Sequence, residues 1–181
     1  MKRLTSILLG ALLVLSLTAC GGGVKAKDGL GEGKIGDVMQ TYFFDFKVNS
    51  AQVADTYESY TPAEGNQVLI ANVTVKNTTK NAIEMYDTDF WLEWSPQADE
   101  NFAWPITSDE DGNEVPTVSD NQLPYIYNLA SKEERTGDLV FEIPAGTTVD
   151  IASIWSLEMF DDGSEEGDTG DYYAVYLNAS K

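Results

Sequence analysis

The chain has no histidine and one cysteine in 181 residues, and these two gaps close most routes to catalysis. Without an imidazole there is no Ser-His-Asp or Cys-His relay, and the commonest ligand for zinc or copper is missing. A lone thiol cannot close an internal disulfide, so the folded part must stand on its hydrophobic core. Neither a phosphate-cradling Gly-x-x-x-x-Gly-Lys-Ser/Thr nor a dinucleotide fingerprint occurs. Positive charge is also scarce: 11 Lys and Arg stand against 30 Asp and Glu, a formal charge of −19, and residues 81–131 and 136–180 hold no Lys or Arg at all. Nucleic acid is excluded as a partner, because neutralising phosphates takes clustered cations. Such a surface repels anionic headgroups and attracts cations or basic partners; it also keeps an extracellular domain soluble by self-repulsion.

What is present begins at the N-terminus. Lys2 and Arg3 precede an uncharged apolar run over residues 4–19, which closes as Leu17-Thr18-Ala19-Cys20. The arrangement resembles a bacterial lipoprotein signal, in which the cysteine is joined to diacylglycerol before cleavage. The run is short for a bilayer span, and no second apolar segment follows it. The reading is therefore a cleaved signal peptide at 1–19, with Cys20 as the lipidation site. An ordinary secretory signal with an incidental cysteine is the alternative. Cleavage leaves 9 Lys and Arg against 30 acids, a formal charge of −21. The implied location is the extracytoplasmic face of a cell membrane, held by lipid, as on the surface of a Gram-positive bacterium. Residues 20–36, GGGVKAKDGLGEGKIG after the cysteine, are expected to form a flexible glycine-rich tether. Residues 37–181 are enough for one domain with a proper core.

Hydrophobic periodicity in that domain has the strand period of two. Leu69, Ala71, Val73 and Val75 alternate with Ile70, Asn72, Thr74 and Lys76, and Asn77-Thr78-Thr79-Lys80-Asn81 supplies a turn. Gly137, Leu139, Phe141 and Ile143 alternate with Thr136, Asp138, Val140 and Glu142 before Pro144-Ala145-Gly146. Residues 149–160 place Ile151, Ser153, Trp155, Leu157 and Met159 on one side. Tyr42, Phe44, Phe46 and Val48 alternate, residues 171–178 read as a closing strand, and residues 83–94 read as a strand bent near Asp87-Thr88-Asp89. Tyr125 and Tyr127 mark one further strand. No helical stripe is present after Cys20. About seven to nine short strands separated by turn signals predict an all-β, immunoglobulin-like antiparallel sandwich.

Val68-Leu69-Ile70-Ala71-Asn72-Val73-Thr74-Val75-Lys76-Asn77-Thr78, then Asp89-Phe90-Trp91-Leu92, then Gly137-Asp138-Leu139-Val140-Phe141-Glu142-Ile143-Pro144 follow one another in this order. With the lipobox, this succession resembles a family of bacterial lipoproteins of unknown function with a telokin-like, immunoglobulin-like domain. The resemblance covers residues 42–177 and implies an extracellular module, related in architecture to a secreted mycobacterial antigen. It carries no catalytic residues to transfer. The long acidic stretch over residues 95–122 departs from the family pattern.

Three kinds of site remain to be weighed. Thirty acids allow a paired-carboxylate glycosidase, with Trp91, Trp94 and Trp104 as sugar-stacking surfaces, although a compact sandwich seldom holds a deep cleft. Calcium takes six to eight oxygens, and two acidic loops offer them: Asp109, Asp111 and Asn113 in the first, Asp161, Asp162 and Glu165 in the second. The first starts like an EF-hand loop but has Glu114 where glycine is needed and Asp120 where glutamate is expected; the second reads more simply as a solvated hairpin tip joining the last two strands. Phe44, Phe46, Phe90, Phe141 and Trp155 are expected in the core. Phe102 and Trp104, in the irregular acidic stretch, either plug one end of the sandwich, the preferred reading, or form an exposed binding patch. The leading expectation is a non-catalytic, lipid-anchored surface module that binds a protein or other envelope component and needs no cofactor. A calcium- or small-ligand-binding accessory lipoprotein and an envelope glycosidase are the alternatives.

Overall fold

The computed structural model describes residues 23–94, 101–109, 111–161 and 168–178, apart from the side chains at 160, 161, 168 and 169. Eleven strands occur among them: β1 (Leu30–Lys34), β2 (Met39–Gln40), β3 (Phe44–Ala54), β4 (Asn66–Asn77), β5 (Ile83–Tyr86), β6 (Trp91–Glu93), β7 (Phe102–Ala103), β8 (Ile126–Leu129), β9 (Glu134–Pro144), β10 (Ser153–Asp161) and β11 (Asp168–Tyr176). One sheet runs β2-β3-β4-β9, a second runs β1-β11-β10-β6-β7, and β5 and β8 form a separate two-stranded ribbon. All pairings are antiparallel except β1 with β11. The fold is an immunoglobulin-like β-sandwich, as the alternation predicts.

The odd-numbered faces of β4 and β9 form the floor of the core. Leu69, Ala71, Val73 and Val75 are buried, as are Leu139, Phe141 and Ile143, and β3 adds Phe44, Phe46 and Val48. The facing sheet contributes Leu92, Ile154, Tyr173 and Val175, with Phe90 just before β6. Phe90 meets Phe46 edge to face, with ring centroids 5.2 Å apart at 70°. Each of these rings removes a large apolar area from water and stabilises the sandwich by about 2–3 kcal/mol. Gly137, which opens the Gly-Asp-Leu-Val-Phe motif, is buried where the 121–123 segment crosses β9. A Cβ there would sit 2.8 Å from the Asn121 carbonyl oxygen, so the motif requires glycine for close approach.

Three expectations need correction. The tether ends earlier than residue 36, because residues 30–34 are β1, paired in parallel with β11 from Leu30 against Tyr172 to Lys34 against Tyr176. Its glycines serve packing: a Cβ at the buried Gly31 would lie 2.8 Å from the Tyr173 ring. Trp155 is not core. The inward face of β10 is Ile154, Ser156 and Glu158, while Trp155 and Leu157 are half-buried and Met159 is exposed. Glu158 turns inward because its carboxylate clamps the turn before β3, accepting from Thr41 Oγ1 at 2.8 Å, the Phe43 amide at 2.6 Å and the Tyr42 amide. Tyr42, which the alternation assigns to the β3 face, precedes the strand and is 73% exposed.

Candidate functional site

The two outer faces of the sandwich are finished differently. Over the four-stranded sheet, Val68 and Val140 point outward, but Tyr57 and Tyr60 from the 55–65 loop and Ile106 and Val118 from the 105–118 segment cover them as a second small core. Polar bonds seal the cover: Tyr60 donates to Glu142, and the Tyr57 hydroxyl donates to Asp138 Oδ2 at 3.0 Å. Burial pushes the Tyr57 phenol up to about 12, with the Asp138 carboxylate adding to the effect. Beside it, a groove of about 530 Å3 is lined by Asn72, Tyr57 and Asp138, but Asn72 Nδ2 already donates to Asp138 Oδ1 at 2.8 Å.

The five-stranded sheet has no comparable cover among the described residues. Its outward positions carry aromatic rings, set side by side by the register Trp155 against Ala174 and Trp91, Leu157 against Tyr172, and Glu93 against Phe102. Trp91 is the hub. Its ring lies 6.3 Å from Trp155 at 18°, 6.0 Å from Trp104 at 60° and 6.5 Å from Tyr172 at 87°, and Trp104 in turn meets Phe102 at 6.0 Å. The central indoles are held in place by their own strands: Trp91 Nε1 donates to Glu93 Oε1 and Trp155 Nε1 to Ser153 Oγ, both at 2.8 Å. At the far side the Tyr176 hydroxyl donates to Glu32 Oε1 at 2.5 Å. The result is a preorganised aromatic surface with carboxylates among its rings.

Phe102 and Trp104 are 46% and 45% exposed, and Tyr172 is 45% exposed. The plug reading for Phe102 and Trp104 therefore gives way to the exposed patch. Pairing of β7 with β6 turns both side chains onto the outer face, while Ala103 between them points to the core. Trp91, Trp155 and Tyr172 extend the patch beyond what the loop residues suggest. One sequence signal marks them: on β10 the side bearing Trp155, Leu157 and Met159 is more apolar than the side bearing Ser156 and Glu158, yet it is the latter that faces inward.

The other candidate residues are placed as follows. Asp109 closes a tight turn on itself: its Oδ1 accepts from the amides of Asp111 and Asn113 at 3.0 and 2.7 Å, and Asn113 Nδ2 reaches both of its oxygens. Those bonds, above all the Asn113 amide, hold the Asp109 carboxyl below its ordinary range. The carboxylate is thus engaged by the chain's own donors, and Asp111 does not join it around a common centre; among the described residues no three acidic side chains converge as a metal site would need. Cys20, Asp162, Glu165 and the side chain of Asp161 lie outside the described residues.

Two carboxylates, Asp89 and Glu158, line a common cavity of about 370 Å3 beside Phe43, Met85 and Met159. Burial pushes the Asp89 carboxyl up to about 6, against the opposing bond from the Tyr86 amide at 2.8 Å. Nearby Asp87 is fully buried and also raised by desolvation, its Oδ2 accepting from Thr107 Oγ1 at 2.7 Å and Ser108 Oγ at 2.8 Å. These acids fasten the 87–89 turn and the turn before β3, so their bonds are explained by the framework.

The architecture is an all-β sandwich in which one outer face is covered and the other presents aromatic rings with no cover among the described residues. Residues 33–161 match the family model described as a domain of unknown function, DUF4352, and the chain belongs to that family. Among solved structures it is similar to the yjhA protein of Bacillus subtilis, at 19% identity and a TM-score of 0.54, with 79% of this chain and 99% of that one covered. It is also similar to ycdA of Bacillus subtilis, a candidate lipoprotein, at 15% identity and a TM-score of 0.49; the match covers 79% of this chain and 39% of the other. An uncharacterized β-sandwich protein of Clostridium difficile matches at 14% identity and a TM-score of 0.46, over 81% and 93% of the two chains. No curated protein matches the chain significantly. The likeness to yjhA is one of fold alone.

Proposed function

We propose that this chain is a non-catalytic, lipid-anchored module on the extracytoplasmic face of the cell membrane, and that it binds an envelope component through the aromatic face of the five-stranded sheet. The observation that carries the reading is the contrast between the two sheets. Apolar side chains on one outer face are roofed by a loop and sealed by tyrosine–carboxylate bonds, whereas rings on the other form a connected array that no described residue roofs, with Phe102, Trp104 and Tyr172 exposed at its surface. Clustered exposed aromatics on a rigid sheet are the composition of a contact surface, since Trp and Tyr bury much area with little loss of side-chain freedom. Support for the anchor comes from Cys20 and the residues before it. Glycosidase chemistry gains little from Asp89 and Glu158, because both accept backbone N–H bonds that hold turns in place.

The test is retention of the full chain on isolated cell envelopes. The double variant Phe102→Ala, Trp104→Ala should lose at least tenfold in retention with an unchanged melting temperature, while Tyr42→Ala, exposed elsewhere, should bind as before. Equal retention of all three proteins would refute the face as the contact surface. Cys20→Ser tests the anchor separately: it should abolish the lipid-modified mass, and an unchanged membrane fraction would contradict lipid attachment.

A further inference from the structure

The aromatic face also has an electrostatic character. Strands β6, β7, β10 and β11, four of the five in that sheet, contain no Lys or Arg; Lys34 at the end of β1 is the sheet's one basic residue. Glu93 and Glu32 stand among the rings, each bonded by an aromatic donor, Trp91 Nε1 and the Tyr176 hydroxyl. The face thus combines the negative quadrupole of its indoles with carboxylates, on a chain whose formal charge is −19. A second copy of the chain or an anionic lipid surface would meet charge repulsion at contact. A cation meets attraction twice, from the ring faces and from the carboxylates.

We propose that the aromatic face takes a Lys- and Arg-bearing polypeptide segment of another protein, with side-chain cations laid over Trp91 and Trp104 and their charge met by Glu93. This rests on the reading of that face as the contact surface and names the chemistry of its partner. The chain holds one instance of the same geometry within itself: the Arg135 guanidinium sits 5.0 Å above the centre of the Tyr127 ring. Arginine is better suited to this surface than lysine, because its planar fork stacks on indole while bonding a carboxylate bidentately.

The test is a calorimetric titration of the full chain with a ten-residue arginine peptide at physiological salt, beside a neutral N-acetylglucosamine hexamer. The arginine peptide should bind saturably, and Glu93→Gln and Trp104→Ala should each weaken it at least tenfold with melting temperatures unchanged. Glu93→Gln keeps an acceptor for Trp91 Nε1, so its effect reads the charge and not the ring's orientation. Affinity that is equal in wild type and variants would mean diffuse attraction to an acidic surface and would overturn the proposal. Binding of the neutral hexamer alone, lost in Trp104→Ala, would overturn the cationic partner while upholding the face as a contact surface. Failure of both probes to bind would also overturn it, and envelope retention would then report separately on the face.

Discussion

Asn77 shows how one side chain can account for a sequence motif. It is fully buried at the end of β4, and its Nδ2 reaches the carbonyls of Asn81, Leu129 and Ala130 at 2.7, 3.0 and 3.1 Å, while Oδ1 accepts from the Thr79 amide and hydroxyl at 2.7 and 2.8 Å. The Lys-Asn-Thr turn is therefore stapled to the end of β8 through one amide. Asn77→Ala leaves the buried Leu129 carbonyl without this donor, releases the Asn81 and Ala130 carbonyls and the Thr79 turn, and should cost about 3 kcal/mol, read as a lower denaturant midpoint at unchanged slope. Asp89 gives a second prediction, in pH. Its carboxyl titrates near 3.8 in the unfolded chain and near 6 in the fold, so the folded state holds the proton more tightly. The stability it contributes is full below about pH 4 and is lost as pH rises through 6. Asp89→Asn should therefore gain on the wild type across that window, by about 3 kcal/mol above it. A stability difference independent of pH would show that Asp89 is not buried as described.

At the scale of the element, alternation located the central strands well because one face of each is continuously apolar and buried, while the other is mostly polar with isolated valines and isoleucine. β4 and β9 satisfy that condition, and Leu69 to Val75 and Leu139 to Ile143 fall on the core side as their spacing predicts. β10 violates it. Trp155, Leu157 and Met159 make its outer side the more apolar, and Glu158 is drawn inward by bonds to a turn more than a hundred residues away, which no local pattern records. β1 escaped for a related reason: Leu-Gly-Glu-Gly-Lys has the composition of a linker, and its strand geometry comes from pairing with β11. Gly31→Ala distinguishes the two descriptions. A tether residue would tolerate the methyl group, whereas packing against Tyr173 should cost about 1–3 kcal/mol in thermal or chemical unfolding.

For the whole molecule, the acidic charge and the sandwich were legible from composition and period, because each is a property of many residues at once. The candidate face was legible in part, in Phe102 and Trp104 as a patch and in Trp91 and Trp104 as stacking surfaces. The rest is assembled from four strands, with β6 and β7 brought beside β10 and β11 by sheet order, and cross-strand neighbours of that kind have no signature in a linear pattern. A sandwich with one outer face roofed and the other without a cover among the described residues has a direction: under the proposed function, the uncovered face is where another component is expected to lie. The most direct measurement is oxidative footprinting of Trp104 and Tyr172 in the full chain on intact cells against the same chain purified. Both rings should be labelled readily when purified and protected at least severalfold on cells, with Tyr42 labelled equally in the two states. Equal labelling of Trp104, Tyr172 and Tyr42 in both states would contradict the aromatic face as the surface through which this protein binds.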